Sequence, residues 1–355
     1  MIKWGIYLIN VYSDIIQFNG SHYDFGFKQG KLLKDSFLLA NRKKQWFSKK
    51  HHFIINKKQY ETIIQQFASS LWEELHGLAD ALKIEMTEAI REFGGYYLEY
   101  GRSGCTIFTG FDYMIRNYDN HPLTYEGRYI IYKPTDSGYA TIGPSMQITG
   151  RTDGMNEKGL AIGYNFINRK GSKDGFICNM IGRIILETCA NVDEAISLLK
   201  EIPHRHSFSY VVLDQSGKTY VVECSPRSVV VRQANVCTNH FEYLIEENRY
   251  RMEDSLRRQH TILQEQNSLI NWYEAFQMMN DPNKGVFSTK YGAWSGTLHT
   301  SIYRPQTMQV GFAIGGNRDP LIFNFNDWIN GKSFKVKQIK GKLDTDTPFV
   351  HMTKL

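Results

Sequence analysis

From Cys105 onward the apolar residues stop recurring at helical steps and begin to alternate with polar ones. That change of period restricts the chain to folds that join a helical segment to β-sheets. Before it, "YDFGFKQGKLLKDSFLLANRKKQWF" and "YETIIQQFASSLWEELHGLADALKIEMTEAIREFGGYYLEY" space their apolar residues three and four apart, the helical period. After it come short runs such as "CTIFTGFDYMIRNYD", "GRYIIYKP", "SYVVLDQSGKTYVVECS" and "TLHTSIYRPQTMQVGFAIG", separated by Gly, Asn and Asp turns. Residues 209–214 and 219–224 flank a Ser-Gly turn, which predicts a hairpin. Two helical regions interrupt the strands. "ICNMIGRIILETCANVDEAISLLKEI" carries Asn191 as an N-cap, and "NRYRMEDSLRRQHTILQEQ" is amphipathic and basic. Antiparallel strands with helices inserted between them predict an α+β architecture of sheets faced by helices.

The chain is long enough for such layers, since 355 residues at 42% hydrophobic content supply the core of one large domain or two modest ones. The net charge of +6 is spread along the chain rather than gathered in one block, so no nucleic acid partner is expected. Cys105, Cys178, Cys189, Cys224 and Cys237 form an odd set without a CxxC pair, which argues against a disulfide framework and a zinc ribbon. They read as reduced thiols of a cytoplasmic protein, with no metal and no cofactor. The opening "MIKWGIYLINVYSDIIQF" has no A-x-A-like cleavage site, and no uninterrupted apolar run reaches the roughly 18 residues of a membrane span.

Chemistry concentrates at "GRSGCTIFTGFDYMIRNYDN". Gly104 leaves the carbonyl before Cys105 open to the neighbouring thiol, so an N-to-S acyl shift followed by hydrolysis would free the α-amine of Cys105. An α-amine titrates near pH 8, about 7.7–8.0, and can serve as the base for its own thiol. Arg116 and Asp119 fall on the return strand of the predicted hairpin, where an Arg can favour a thiolate and an Asp can orient an ammonium. Taken singly, a buried Cys is more often core than nucleophile, and an Arg and an Asp three apart are common on any strand.

The ordered set "GSHYDFGFKQG", "EELHGLADAL", "GCT" with "RNYD", "DGMNEKGLAIGYNF", "TNHF" and "TLHTSIYRPQTMQVGFAIG" runs over nearly the whole chain. In this the sequence resembles the N-terminal-nucleophile amidases of the choloylglycine hydrolase and penicillin V acylase type, nearest the branch that contains isopenicillin N acyltransferase. The resemblance implies a four-layer αββα sandwich, with residues 1–104 a mostly helical pro-segment packed on a catalytic domain of residues 105–355. It implies self-cleavage between Gly104 and Cys105, with Cys105 as nucleophile, Arg116 near its sulfur and Asp119 holding the α-amine. Asn165 matches the residue whose backbone N–H helps form an oxyanion hole, and Asn239 the side-chain donor to it. Arg249 matches the late catalytic arginine, although it equally reads as part of a solvated helical face with Arg251, Arg257 and Arg258. No Cys–His dyad with His204, His206 or His240 is expected, because the α-amine supplies the base.

The activity so implied is cleavage or transfer of the acyl group of linear N-acyl amides, including penicillin-like side chains, through a thioester. An acyl-thioester donor is a further candidate partner, and a homo-oligomer is expected. Phe108, Tyr164 and Phe166 near the nucleophile suggest an apolar acyl pocket. The competing reading is an uncleaved, inactive relative that binds acylated small molecules.

Overall fold

The computed structural model describes residues 8–48, 55–96, 104–167, 172–248, 252–266, 271–293 and 295–355. The first described element is a strand, β1 (Leu8–Gly20), in the part whose periodicity is otherwise helical. Four helices follow: α1 (His22–Lys34), α2 (Phe37–Ser48), α3 (Lys57–Leu82) and α4 (Met86–Phe93). Ser21 caps α1 by accepting from the Asp24 N–H, and Asn56 caps α3 by accepting from the Gln59 N–H. Helices α1 and α3 touch backbone to backbone through Gly26 and Gly77. A Cβ on either would sit 2.0 Å from a carbonyl oxygen of the other helix, so only glycine permits this packing.

Next come β2 (Thr106–Thr109), β3 (Met114–Asn120), β4 (Arg128–Pro134), β5 (Thr141–Met146), β6 (Gly150–Arg151), β7 (Asp153–Asn156) and β8 (Ala161–Phe166). Helices α5 (Cys178–Thr188) and α6 (Val192–Glu201) are followed by β9 (Phe208–Leu213), β10 (Thr219–Cys224), β11 (Val229–Arg232) and β12 (Val236–Cys237). Asn191 caps α6 through the Glu194 N–H, and β9 and β10 form the expected hairpin. The remainder is α7 (Glu253–Glu265), α8 (Trp272–Asn280), β13 (Gly296–Arg304), β14 (Gln309–Ile314), β15 (Leu321–Asn324), α9 (Phe325–Ile329) and β16 (Gln338–Asp344).

The described strands form two sheets. One runs β11-β10-β9-β8-β7-β5-β4-β1-β16 with β6 beside β5, and the other β12-β2-β3-β13-β14-β15. Pairing is antiparallel except between β1 and β4, which run parallel, so the antiparallel expectation is met with one substitution. Three apolar layers show how these pieces stack. Leu75 and Leu78 of α3 and Ile181 and Ile185 of α5 pack on Ile162 and Val212, on the outer face of the larger sheet. Ile131, Ile142 and Val211 meet Ile107, Leu298 and Phe312 between the sheets. On the outer face of the smaller sheet, Phe108, Ile115 and Ile302 pack on Ile262 of α7 and Phe276 and Met279 of α8. Helix, sheet, sheet and helix thus follow in order, the αββα sandwich expected of the resemblance. No helix among the described residues is long and apolar enough to cross a membrane.

Candidate active site

Cys105 continues the β2–β3 ladder by one step before the strand proper begins. The Gly104 N–H donates to the Asp119 carbonyl at 3.3 Å, and the Cys105 sulfur lies 3.7 Å from the same oxygen. Because a strand is pleated, β3 sends alternate side chains to two layers. Met114 and Tyr118 enter the layer between the sheets, whereas Ile115 packs beneath α8 and the Asn117 amide donates to the Met279 carbonyl there. Arg116 follows the first set and Asp119 the second, so the two polar groups leave β3 on opposite faces.

Arg116 is fully buried. Its Nη2 donates to the Cys105 sulfur at 3.3 Å and to the Tyr164 carbonyl at 2.6 Å, and its Nη1 donates to Asp153 Oδ1 at 2.9 Å. The guanidinium carbon sits 5.0 Å from the Tyr118 ring centroid and 4.9 Å from that of Tyr164. Room for this side chain against the larger sheet comes from Gly163, where a Cβ would stand 3.0 Å from Arg116 Cδ and 2.9 Å from Ile107 Cδ1.

On the other face, Asp119 Oδ1 accepts from Thr297 Oγ1 at 2.6 Å. Oδ2 is buried and has no hydrogen-bond partner among the described residues. Burial pushes the Asp119 carboxyl up to about 7, against the opposing pull of Arg258 and Thr297. It is therefore a carboxyl that exchanges its proton near neutrality and keeps one oxygen open to a cation.

The end of β8 closes the site from the larger sheet. Asn165 Nδ2 donates to the Cys237 carbonyl at 2.8 Å, which ties β8 to β12. The Asn239 amide donates to the Phe166 carbonyl at 2.8 Å, and its backbone N–H donates to Ser255 Oγ at 2.7 Å. Asn239 Oδ1 accepts from Arg258 Nη2 at 2.7 Å. Nη1 of the same arginine donates to the Cys105 carbonyl at 3.0 Å and to Thr106 Oγ1, and its Nε to Asp254 at 3.0 Å. Chemically, this is a buried thiol beside a cation that favours its thiolate, with an arginine at its carbonyl that also holds an amide, and a proton-exchanging carboxyl on the paired strand.

The model of one protein family, acyl-coenzyme A:6-aminopenicillanic acid acyl-transferase, matches residues 108–319, more than half of the chain. The chain belongs to this family. The match begins three residues after Cys105 and spans Arg116, Asp119, Asn165, Asn239 and Arg258. No curated protein sequence matches the chain. Among solved structures it is similar to a mutant conjugated bile acid hydrolase from Clostridium perfringens, at 15% identity and TM-score 0.47 over 63% of this chain and 93% of that one. It is also similar to a penicillin V acylase from Agrobacterium tumefaciens, at 15% identity and TM-score 0.43 over 70% and 93% of the two chains. The Caenorhabditis elegans ortholog of N-acylethanolamine-hydrolyzing acid amidase is similar at 10% identity and TM-score 0.40, over 58% and 93%.

Of the residues singled out in the sequence, the acyl-transferase family member brings Gly104, Cys105, Arg116, Asp119, Asn165 and Asn239 into one neighbourhood. Arg249 lies outside the described residues, and the arginine found at the site is Arg258. Its sequence signal is the buried stripe Ser255, Arg258 and Ile262 on α7, masked by the arginines around it. Phe108 is not brought together with Tyr164 and Phe166. Phe108 packs in the layer under α7 and α8, and the other two pack in the layer under α3 and α5, because adjacent strand residues face opposite ways. His204 donates to the Leu199 carbonyl, and the His240 ring lies 2.9 Å from Ser255 Oγ. Asp153, Gly163 and Thr297 were not anticipated; each stands inside a quoted motif but reads there as a turn or strand residue.

Proposed function

We propose that the protein is a cysteine amidase or acyltransferase that acts on linear N-acyl amides through a thioester on Cys105. The observation that carries this reading is the 3.3 Å contact between Arg116 Nη2 and the Cys105 sulfur, both fully buried. A cation at that distance stabilises the thiolate, the nucleophilic form. The family's acyl transfer from an acyl-coenzyme A supports acyl thioesters as donors alongside amides.

In the unbroken chain the Cys105 nitrogen is an amide and has no basicity. Attack of the thiol on the Gly104 carbonyl forms a C–S bond and breaks the C–N bond, leaving a thioester and a free α-amine. Water then releases Gly104 as a carboxylate and restores the thiol. The new ammonium would find Asp119 on the adjacent strand, and its charge would draw that carboxyl into the ionised form. On a substrate amide the α-nitrogen, having released its extra proton to solvent, takes the thiol proton in its free-amine form as the sulfur attacks the carbonyl. The proton passes to the leaving amine as the C–N bond breaks, and water or an acceptor amine then takes the acyl group from sulfur. The amide of Asn239 and the backbone N–H of Asn165 are the oxyanion donors in this reading.

Full burial of the sulfur in the unbroken chain favours a second reading, an uncleaved relative that binds acylated molecules without turnover. Both are tested by assaying purified wild type and Cys105→Ala on a panel of N-acyl amides and with a thiol-directed acyl probe. The enzyme reading expects turnover and Cys105 labelling in wild type only, with the fold retained in the variant because a Cys fills the core as a small hydrophobe. Residual amidase activity above background in Cys105→Ala would sink it.

A further inference from the structure

We propose that Asp153, at the start of β7, is the positioning residue that holds Arg116 against the Cys105 sulfur. The proposal rests on Cys105 being the nucleophile, and it adds that the reactivity of that thiol is set from the opposite sheet. Arg116 belongs to the smaller sheet and Asp153 to the larger one, so their 2.9 Å contact crosses the layer between them. Both side chains are 0% exposed.

A guanidinium is planar and rigid, so fixing one nitrogen decides where the other points. With Nη1 on Asp153, Nη2 is directed into the gap between the Tyr164 carbonyl and the Cys105 sulfur. The flexible part of the side chain is thereby held at both ends.

Asp153 is itself held on every side. Thr152 Oγ1 donates to Oδ1 at 2.6 Å, and Tyr303 Oη donates to Oδ2 at 2.7 Å. The His299 ring stands 3.8 Å from Oδ1, stacked on Tyr118, the neighbour of Arg116 across the same face of β3. Burial alone would raise the Asp153 carboxyl, but Arg116, His299 and Thr152 together outweigh burial and keep it below the usual carboxylate range. Asp153 is thus an ionised anchor whose own oxygens have fixed partners. It does not touch the sulfur, and it acts through Arg116. A buried arginine deprived of its carboxylate is left as an uncompensated charge and turns toward another acceptor.

The test is the pH dependence of iodoacetamide alkylation, read by peptide mass at Cys105, in wild type, Asp153→Ala, Asp153→Asn, Arg116→Ala and the double alanine variant. The other ionisable groups facing the sulfur are Tyr118 on β3 and Cys178 on α5, with Asp119 and Arg258 at its backbone and, in a cleaved chain, the α-amine of Cys105 itself. They stay constant throughout the series. In wild type the thiol should titrate below the ordinary value of about 8.5. Asp153→Ala should raise the inflection by about one unit and slow alkylation about tenfold at a pH below both inflections, as one pH unit of thiolate deficit requires. The double variant should be within about threefold of Arg116→Ala, because residues that act through one contact are not additive. Asp153→Asn keeps an acceptor for Nη1 and guards against a folding artefact. Its inflection should stay at or below that of wild type.

An unchanged inflection in Asp153→Ala, effects that multiply in the double variant, or an Asn variant raised as far as the alanine one would each overturn the positioning role alone. A wild-type thiol that titrates no lower than an ordinary cysteine would overturn the nucleophile reading and the positioning role together.

Discussion

Arg258, in the middle of α7, donates a 3.0 Å hydrogen bond to the carbonyl of Cys105, 153 residues earlier in the chain. Its second terminal nitrogen holds the Asn239 side chain at 2.7 Å. One rigid fork therefore sets the spacing between the backbone of Cys105, the proposed nucleophile, and the amide proposed to meet the oxyanion. A point-like ammonium cannot span both acceptors. We expect Arg258→Ala and Arg258→Lys each to lower kcat/KM about 10²-fold, the scale of a misplacement near 1 Å. A lysine variant within twofold of wild type would show that charge, not the fork, matters there.

Asn239 already gives one N–H to the Phe166 carbonyl. An amide carries two such hydrogens, so one remains for an oxyanion. Loss of a single oxyanion donor costs roughly 10²- to 10³-fold in kcat, which is the expectation for Asn239→Ala in steady-state kinetics with the folded state retained. A rate within a factor of two of wild type would remove Asn239 from the site.

The buried carboxyl of Asp119 makes a stability prediction for the unbroken chain, studied as Cys105→Ala. Burial raises this group from 3.8 to about 7, so between those values the native state holds a proton that the unfolded chain has released. Stability from this residue is therefore fully present below the unfolded value and declines as pH rises through the folded one. Adding Asp119→Asn removes the titration. The asparagine variant should melt higher at pH 8 than its parent, and the gap should close by pH 4. Parallel melting curves across that range would contradict the burial of an ionisable group at this position.

What the sequence made legible was local. The β9–β10 hairpin and the Asn191 cap depend on neighbours a few residues apart, and both stand as read. Strand β1 was hidden because it is covered on both faces: Ile15 packs between the sheets while the adjacent Ile16 packs against Phe25 of α1. That burial erases the alternation by which a strand is recognised, and its parallel partner β4 lies more than 100 residues away. Cys105, Arg116 and Asp119 could be grouped because one hairpin carries them. Arg257 and Arg258 could not be told apart, yet one side chain is 50% exposed and the other 3%. Their fates are decided by how α7 is rolled against the smaller sheet.

Residues before and after Gly104 are joined by a second set of buried charges. Arg183 of α5 donates to Glu74 of α3 at 2.7 Å and to Glu187 at 2.6 Å, and His22 of α1 lies 3.3 Å from Glu187. Burial opposes the ionised form of Glu187, but Arg183 and His22 overcome it and bring the carboxyl down to about 2. Removing the cation takes from both buried carboxylates their shared arginine, leaving Glu187 with His22 and Glu74 with the Gln29 amide. Arg183→Met should cost about 3–5 kcal/mol in urea unfolding at pH 7, the range for breaking a buried pair. The depressed Glu187 adds stability above its unfolded value of 4.5 that is lost as pH falls toward 2, so the penalty should shrink in acid. A loss below 1 kcal/mol at pH 7 would mean that this network does not tie the first helices to the sheets.

The most direct measurement is N-terminal sequencing of the bands that purified wild type and Cys105→Ala give on a denaturing gel. If Cys105 is a nucleophile that must first free its own α-amine, wild type will show two chains, one of them beginning at Cys105. The Cys105→Ala protein will show a single chain. A wild-type protein that turns over N-acyl amides with Met1 as its sole N-terminus would contradict the mechanism.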